Sequence, residues 1–175
     1  YFFLQGEKML RTKWLFLACA LQFILIGAMF VSAYLPIYFG TEVKVIAKGY
    51  DPRDLLSGDF VWLDYGVKLK KSIYAEIPLN AEVFVCLERV DKGNFIFKEI
   101  LTKPPKNQLY IKTKAPKSYF SRLSLGRNIE KYFTTKEKAQ EIQNLLAKPN
   151  NQAIVTLKVF RGKARIVDLK VESKQ

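Results

Sequence analysis

Histidine is absent from the 175 residues, which removes the commonest general acid–base and the commonest transition-metal ligand. Cysteine is nearly absent as well, with only Cys19 and Cys86. The first lies in a long apolar run and the second in a predicted strand. If the run crosses a membrane the two are kept apart, so no disulfide framework is implied. Two cysteines without a histidine also cannot build the usual four-ligand zinc site. Internal repeats and low-complexity segments are missing. A further deficit is local: from Trp14 to Thr41 no residue carries a charge.

That uncharged run divides the chain. Residues 1–8 precede Met9, a candidate start, and are set aside as an N-terminal extension or an expression remnant. Residues 9–40 hold Arg11, Lys13 and the apolar stretch from Trp14 to about Phe39. A bilayer core needs about 20 apolar residues in a helix, so this stretch is long enough to cross with some tilt. Gln22 is its only strongly polar member, and Gln22, Gly27 and Ala33 are candidates to face another transmembrane helix. Trp14 at one end and Tyr34 and Tyr38 at the other read as interfacial anchors. A cleaved signal peptide is the rival reading, with Val31-Ser32-Ala33 as the cleavage site, but its apolar core is usually about 7–15 residues. The run is therefore read as an uncleaved anchor. Lys8, Arg11 and Lys13 ahead of it place the N-terminus in the cytoplasm. Residues 41–175 then form an extracytoplasmic domain, periplasmic in a Gram-negative bacterium.

Of the 29 Lys and Arg and 16 Asp and Glu, three and one precede Thr41, which leaves residues 41–175 with 26 and 15, a net charge of +11. Such a surface favours anionic partners and keeps a domain soluble. Its densest parts are Lys68, Lys70 and Lys71, and Lys103 to Lys117 with Tyr110 and Tyr119 interleaved. Lysine with aromatics can bind nucleic acid by phosphate contact and stacking, but outside a membrane no nucleic acid is expected. Anionic lipid headgroups are nearer, and a plain solvated loop is the alternative.

Beyond the anchor the pattern is mostly of period two. Thr41–Gly49 alternates polar and apolar residues, as a half-buried strand does. Phe60–Lys70 reads as a second strand, with Val61, Leu63, Tyr65 and Val67 on one face and Phe60, Trp62 and Asp64 on the other, so both faces are expected to be covered. Glu82–Val90 and Phe95–Leu101 read as a hairpin turned at Asp91-Lys92-Gly93-Asn94. Leu109–Lys112 and Tyr119–Gly126 are further strands, and Asn128–Tyr132 a short helical turn. A helix capped at Thr134 or Thr135 runs to about Ala147, with Ala139, Ile142, Leu145 and Leu146 on one face. Ala153–Phe160 and Ala164–Val171 form the best hairpin, turned at Arg161-Gly162-Lys163. Six or seven strands with one late helix predict an α+β chain: one N-terminal transmembrane helix, then a mainly antiparallel β-barrel or sandwich-like domain with one helix before the C-terminal hairpin.

The stretch from Gly49 to Tyr65 concentrates the polar chemistry. Asp51, Asp54, Asp59 and Asp64 could supply oxygens to a hard cation. Arg53 in their midst is a ready counter-ion, so a structural network is the simpler reading: Asp51 caps the turn while Arg53 pairs with Asp54 or Asp59. No metal and no cofactor is expected. Ser57 beside Gly58-Asp59 is similar to type I signal peptidases, which place a nucleophilic serine before Met-x-Pro and then Gly-Asp. Here Gly49 and Tyr50 stand where that Ser-Met would precede Pro52, so that nucleophile is missing, and no base accompanies Ser57.

Gly58-Asp59-Phe60-Val61-Trp62-Leu63-Asp64-Tyr65 resembles the signature of the GDYXXLXY family of bacterial membrane-anchored proteins, with Phe60 in place of the signature tyrosine. Asp51-Pro52-Arg53-Asp54 upstream, Gly126-Arg127-Asn128-Ile129-Glu130-Lys131-Tyr132-Phe133, and Gly162-Lys163-Ala164-Arg165 fit the same family. The resemblance covers most of residues 10–172. It implies one N-terminal span and a small extracytoplasmic domain, and it carries over no activity. Members are often encoded beside multi-pass membrane proteins, which implies an integral membrane partner. The expected function is a non-enzymatic, membrane-anchored accessory or binding protein, whose alternative is a small membrane-anchored hydrolase or ligand sensor. The expected motif residues are Asp51, Arg53, Asp54, Gly58, Asp59, Leu63 and Tyr65, with Trp62 as a partner contact.

Overall fold

With no charge to solvate and no breaker before Pro36, the apolar run forms one helix. In the computed structural model, which describes residues 2–50, 60–67, 77–91, 93–116 and 123–173, α1 extends over Phe2–Phe39. Its segment Lys13–Phe39, 27 residues, is long and apolar enough to cross a membrane, and none of its apolar core is buried in the protein. Trp14 and Phe23 are 64% and 75% exposed. Pro36 is tolerated because it lies in the final turn, yet it leaves the Ser32 carbonyl without its usual N–H donor. The chain then turns at Gly40, whose N–H donates to the Pro36 carbonyl at 2.9 Å. Sheet pairing begins at the next residue.

The rest of the chain is an eight-stranded, mostly antiparallel sheet. Its strands are β1 (Thr41–Tyr50), β2 (Phe60–Asp64), β3 (Glu82–Asp91), β4 (Asn94–Leu101), β5 (Leu109–Lys114), β6 (Lys131–Phe133), β7 (Asn151–Phe160) and β8 (Lys163–Ser173). Among the described residues two short helices interrupt them, α2 (Arg127–Glu130) and α3 (Lys136–Leu146). β1 is the branch point: it pairs with β7 over Thr41–Ala47, with β2 over Lys48–Tyr50, and in parallel with β4 at Lys44 and Val45. The alternation in β1 and β7 puts Val43 opposite Leu157, Val45 opposite Val155 and Ala47 opposite Ala153, all buried in the core. β3 is buried on both faces from Val83 to Leu87.

The expected mostly antiparallel, β-rich domain with a helix before the C-terminal hairpin is what forms, and the sheet is not closed into a barrel. The nearest approach to closure is one bridge between Ile111 of β5 and Gly162 in the β7–β8 turn, with the Lys112 N–H donating to the Gly162 carbonyl at 2.8 Å. That turn carries positive φ at Arg161 (47°) and Gly162 (79°), the pairing that matches a two-residue hairpin to right-handed strand twist.

Several local expectations are corrected. β2 stops at Asp64 instead of continuing to Lys70, because the Asp64 Oδ1 accepts the Gly66 N–H at 2.6 Å and bends the chain away. Lys68 to Lys70 lie outside the described residues. The expected strand ending at Gly126 is absent over Leu123–Gly126, where the chain is irregular with Leu123 and Leu125 buried. The short helical turn is followed by β6, a strand that the residue pattern did not suggest. Thr135 occupies the start of α3 without a side-chain cap bond. The helix docks instead through buried Ala139, with Ile142 and Leu146 against the core.

Candidate functional site

Two places combine specific side chains with unusual surroundings. The first joins β2 to the segment from Leu123 to Phe133. Alternation sends Val61 and Leu63 inward, each 1% exposed, and carries Tyr65 beneath α2, where its hydroxyl donates to the Ile129 carbonyl. Burial pushes the Tyr65 phenol well above its ordinary range, and the Glu130 carboxylate beside it adds to the effect. Glu130 is the buried charged group of the described residues, at 7% exposure. Its Oε1 accepts the Leu125 N–H and its Oε2 accepts the Ser124 hydroxyl, each at 2.7 Å. A carboxylate so placed is satisfied by donors rather than left as an uncompensated charge. It pins the irregular approach to α2.

The outward face of the same junction is aromatic. β2 and β6 pair Phe60 with Phe133, Val61 with Tyr132 and Trp62 with Lys131. The Lys131 ammonium stands 4.1 Å from the Phe60 ring centre and 4.7 Å from that of Trp62, within cation–π range. Phe60 also touches Trp62 and Phe133, with ring centres 6.0 and 5.8 Å apart. Phe60, where the signature has tyrosine, is buried and serves as the platform of this cluster. Trp62 is half-buried in it, and the large exposed ring is Phe133, at 68%.

The second place is the exit of α1. The last turn of that helix contains no basic residue, and the domain supplies the cations that its C-terminal carbonyls and dipole favour. Lys158 Nζ donates to the Ile37 carbonyl at 2.9 Å. Lys163 Nζ donates to Ser32 Oγ at 2.6 Å and lies 3.5 Å from the Ser32 carbonyl that Pro36 leaves open. The Arg165 guanidinium stacks over Tyr34 at 5.4 Å, and Phe39 meets Phe160 at 6.2 Å. Between helix and sheet lies a cavity of about 480 Å³. Ser32, Lys112, Asn128, Lys163 and Arg165 form its polar wall, and Met29, Pro36 and Leu125 belong to its apolar wall.

Of the residues singled out from sequence, Leu63 and Tyr65 take core positions and Trp62 lies beside them in the aromatic cluster. Asp51, Arg53, Asp54, Gly58 and Asp59 lie outside the described residues, as does Ser57. Among the described residues, no three or more Cys, Asp or Glu side chains group as a metal site would need. The roles of Glu130, Lys131, Lys158, Lys163 and Arg165 were missed from sequence. One available signal for Lys163 was Pro36, whose missing N–H calls for another donor at Ser32.

A helix long and apolar enough to span a bilayer, followed at once by a small open sheet that grips its end, fits a membrane-anchored protein. The chain belongs to the GDYXXLXY protein family, whose model matches residues 22–169, from within α1 into β8. No curated protein and no solved structure matches it.

Proposed function

We propose that this is a single-pass, membrane-anchored accessory or binding protein without catalytic activity, which works by engaging another integral membrane protein. In this reading the N-terminus is cytoplasmic, and the sheet domain sits on the outer face of a bacterial inner membrane. The observation that carries it is the division of α1. Its last turns are clamped by β7 and β8, while the preceding apolar surface is left bare, which only lipid or another apolar helix can cover. Gln22 gives that surface a polar side chain for helix contact. On the domain, the rim of β2 and β6 with Phe133 and the open edge of Trp62 is the place for partner contact. Exposed Lys103 and Lys106 in the β4–β5 loop would add about 1 kcal/mol each beside anionic lipid.

Gentle solubilisation of membranes containing the full chain, followed by mass spectrometry of co-purifying proteins, tests the reading. A multi-pass membrane protein recovered with the chain, and lost with Phe133→Ala at an unchanged melting temperature, is expected. A monomer that turns over a substrate, with turnover lost in Asp59→Ala, would replace it by the hydrolase reading.

A further inference from the structure

We propose that the cavity at the end of α1 holds the phosphate of an anionic phospholipid headgroup. This deepens the membrane-anchored reading and rests on it. Depth is the first argument. A hydrocarbon core of about 30 Å takes about 20 helical residues. Counting from Trp14, they end near Ala33, so Ser32 and Pro36 lie where hydrocarbon gives way to headgroups. Tyr34, Tyr38, Phe39 and Phe160 surround that level, as interfacial aromatics do.

Charge is the second argument. Lys112, Lys163 and Arg165 contribute three positive charges to the cavity, and no acidic side chain among the described residues lines it. The end of a helix carries only about half a negative charge, most of it within the final turn, so the cavity remains positive. An ammonium has three donors, and contact with Ser32 occupies at most two of those on Lys163. Arg165 stacks on Tyr34 and has no hydrogen bond or ion pair among the described residues, which leaves its fork free for a phosphate. Lys112 pairs with Glu82 at 2.7 Å in an exposed contact that holds it weakly. Asn128 adds an uncharged donor from α2.

The third argument is the mixture of walls. A free phosphate would need only the cations. Met29 and Pro36 form an apolar side continuous with the bare surface of α1, which suits the glycerol and first acyl carbons of a lipid. The cavity volume of about 480 Å³ lies in the range of about 300–1,000 Å³ that takes small-molecule groups.

The test uses the full chain in nanodiscs of equal phosphatidylglycerol and phosphatidylcholine, released into native mass spectrometry. Retention of phosphatidylglycerol over phosphatidylcholine is expected, and it should fall about tenfold in Lys163→Gln/Arg165→Gln. Lys163 also braces α1, so Lys112→Gln, whose ion pair is with Glu82 of β3, is the second variant and should weaken retention in the same direction. Lys44→Gln/Lys48→Gln, on the exposed face of β1, should leave it unchanged. Glycerol 1-phosphate added in excess separates the two sources of a phosphate. Failure to displace the lipid supports a lipid site, whereas full displacement would make this a soluble-ligand site and overturn the proposal. Equal retention of the two lipids, or a preference that survives in both cavity variants, would also overturn it. A chain that does not enter nanodiscs at all would sink the membrane reading as well. Absence of a protein partner would leave this result standing.

Discussion

At the scale of single residues, Tyr65 and Glu130 tie the two halves of the β2–α2 junction together, and the phenol makes the tie sensitive to pH. Removing the Tyr65 hydroxyl leaves the buried Ile129 carbonyl without a donor, which costs about 1 kcal/mol. Glu130→Ala strands the Leu125 N–H and the Ser124 hydroxyl together, and costs about 1–3 kcal/mol. Urea unfolding of the two variants should give that order. The pH dependence has a definite sign. A tyrosine titrates near about pH 10 when unfolded, and burial raises Tyr65 above that in the fold. Its contribution is therefore complete below about pH 10 and is lost progressively as pH rises beyond it. Tyr65→Phe should flatten this alkaline limb relative to the unsubstituted protein. An identical slope in both would show that Tyr65 is not protected. Of this pair only Tyr65 was legible, because it falls at an inward position of an alternating strand. Glu130 sits in a stretch that reads as a short helical turn. Nothing local marks a carboxylate whose donors come from an irregular loop five and six residues earlier.

Single elements were legible where their signals were local. The β3–β4 and β7–β8 hairpins and α3 follow from alternation, turn residues and one apolar helical face. β6 did not, because three residues acquire strand character only by pairing with β2, some seventy positions earlier in the chain. The parallel pairing of β1 with β4 is equally non-local. The β7–β8 turn shows how such contacts constrain a residue. Gly162 has φ of 79°, and a Cβ there would meet Tyr110 Cε2 at 2.7 Å and Lys112 Cβ at 2.9 Å. Gly162→Ala should therefore cost about 1–2 kcal/mol for the left-handed backbone, and more for the displacement of β5. Gly93→Ala is the matched comparison, since Gly93 has φ of 89° but open space around its missing Cβ. Chemical unfolding should rank Gly162→Ala as the more damaging substitution. Equal losses would mean that β5 gives way without cost and that the single bridge to Gly162 contributes nothing.

Over the whole molecule, the apolar helix was legible because charge is missing from it, whereas its attachment to the sheet was not. Lys158 and Arg165 read as ordinary alternating positions of a hairpin, and Lys163 as part of its turn. Only the fold brings them to the carbonyls and the ring at the end of α1. One residue, Gly40, separates α1 from β1, so the domain has no linker on which to swing. The hairpin clamp fixes it against the end of α1 at the level of Tyr34. This geometry makes orientation testable at both ends of the chain. Cys19 lies within the span and Cys86 is buried, so a thiol introduced elsewhere can be labelled with little background. If the N-terminus is cytoplasmic, as proposed, Ser173→Cys, at the exposed end of β8, should react with a membrane-impermeant maleimide in cells whose outer membrane has been opened. Lys8→Cys should react only after the inner membrane is permeabilised. The reverse pattern would put the sheet in the cytoplasm and remove the outer headgroup layer from the environment of the helix exit. Labelling at both positions before permeabilisation would mean that α1 does not cross the bilayer, and the bare surface of Trp14 to Phe30 would then need a protein to cover it.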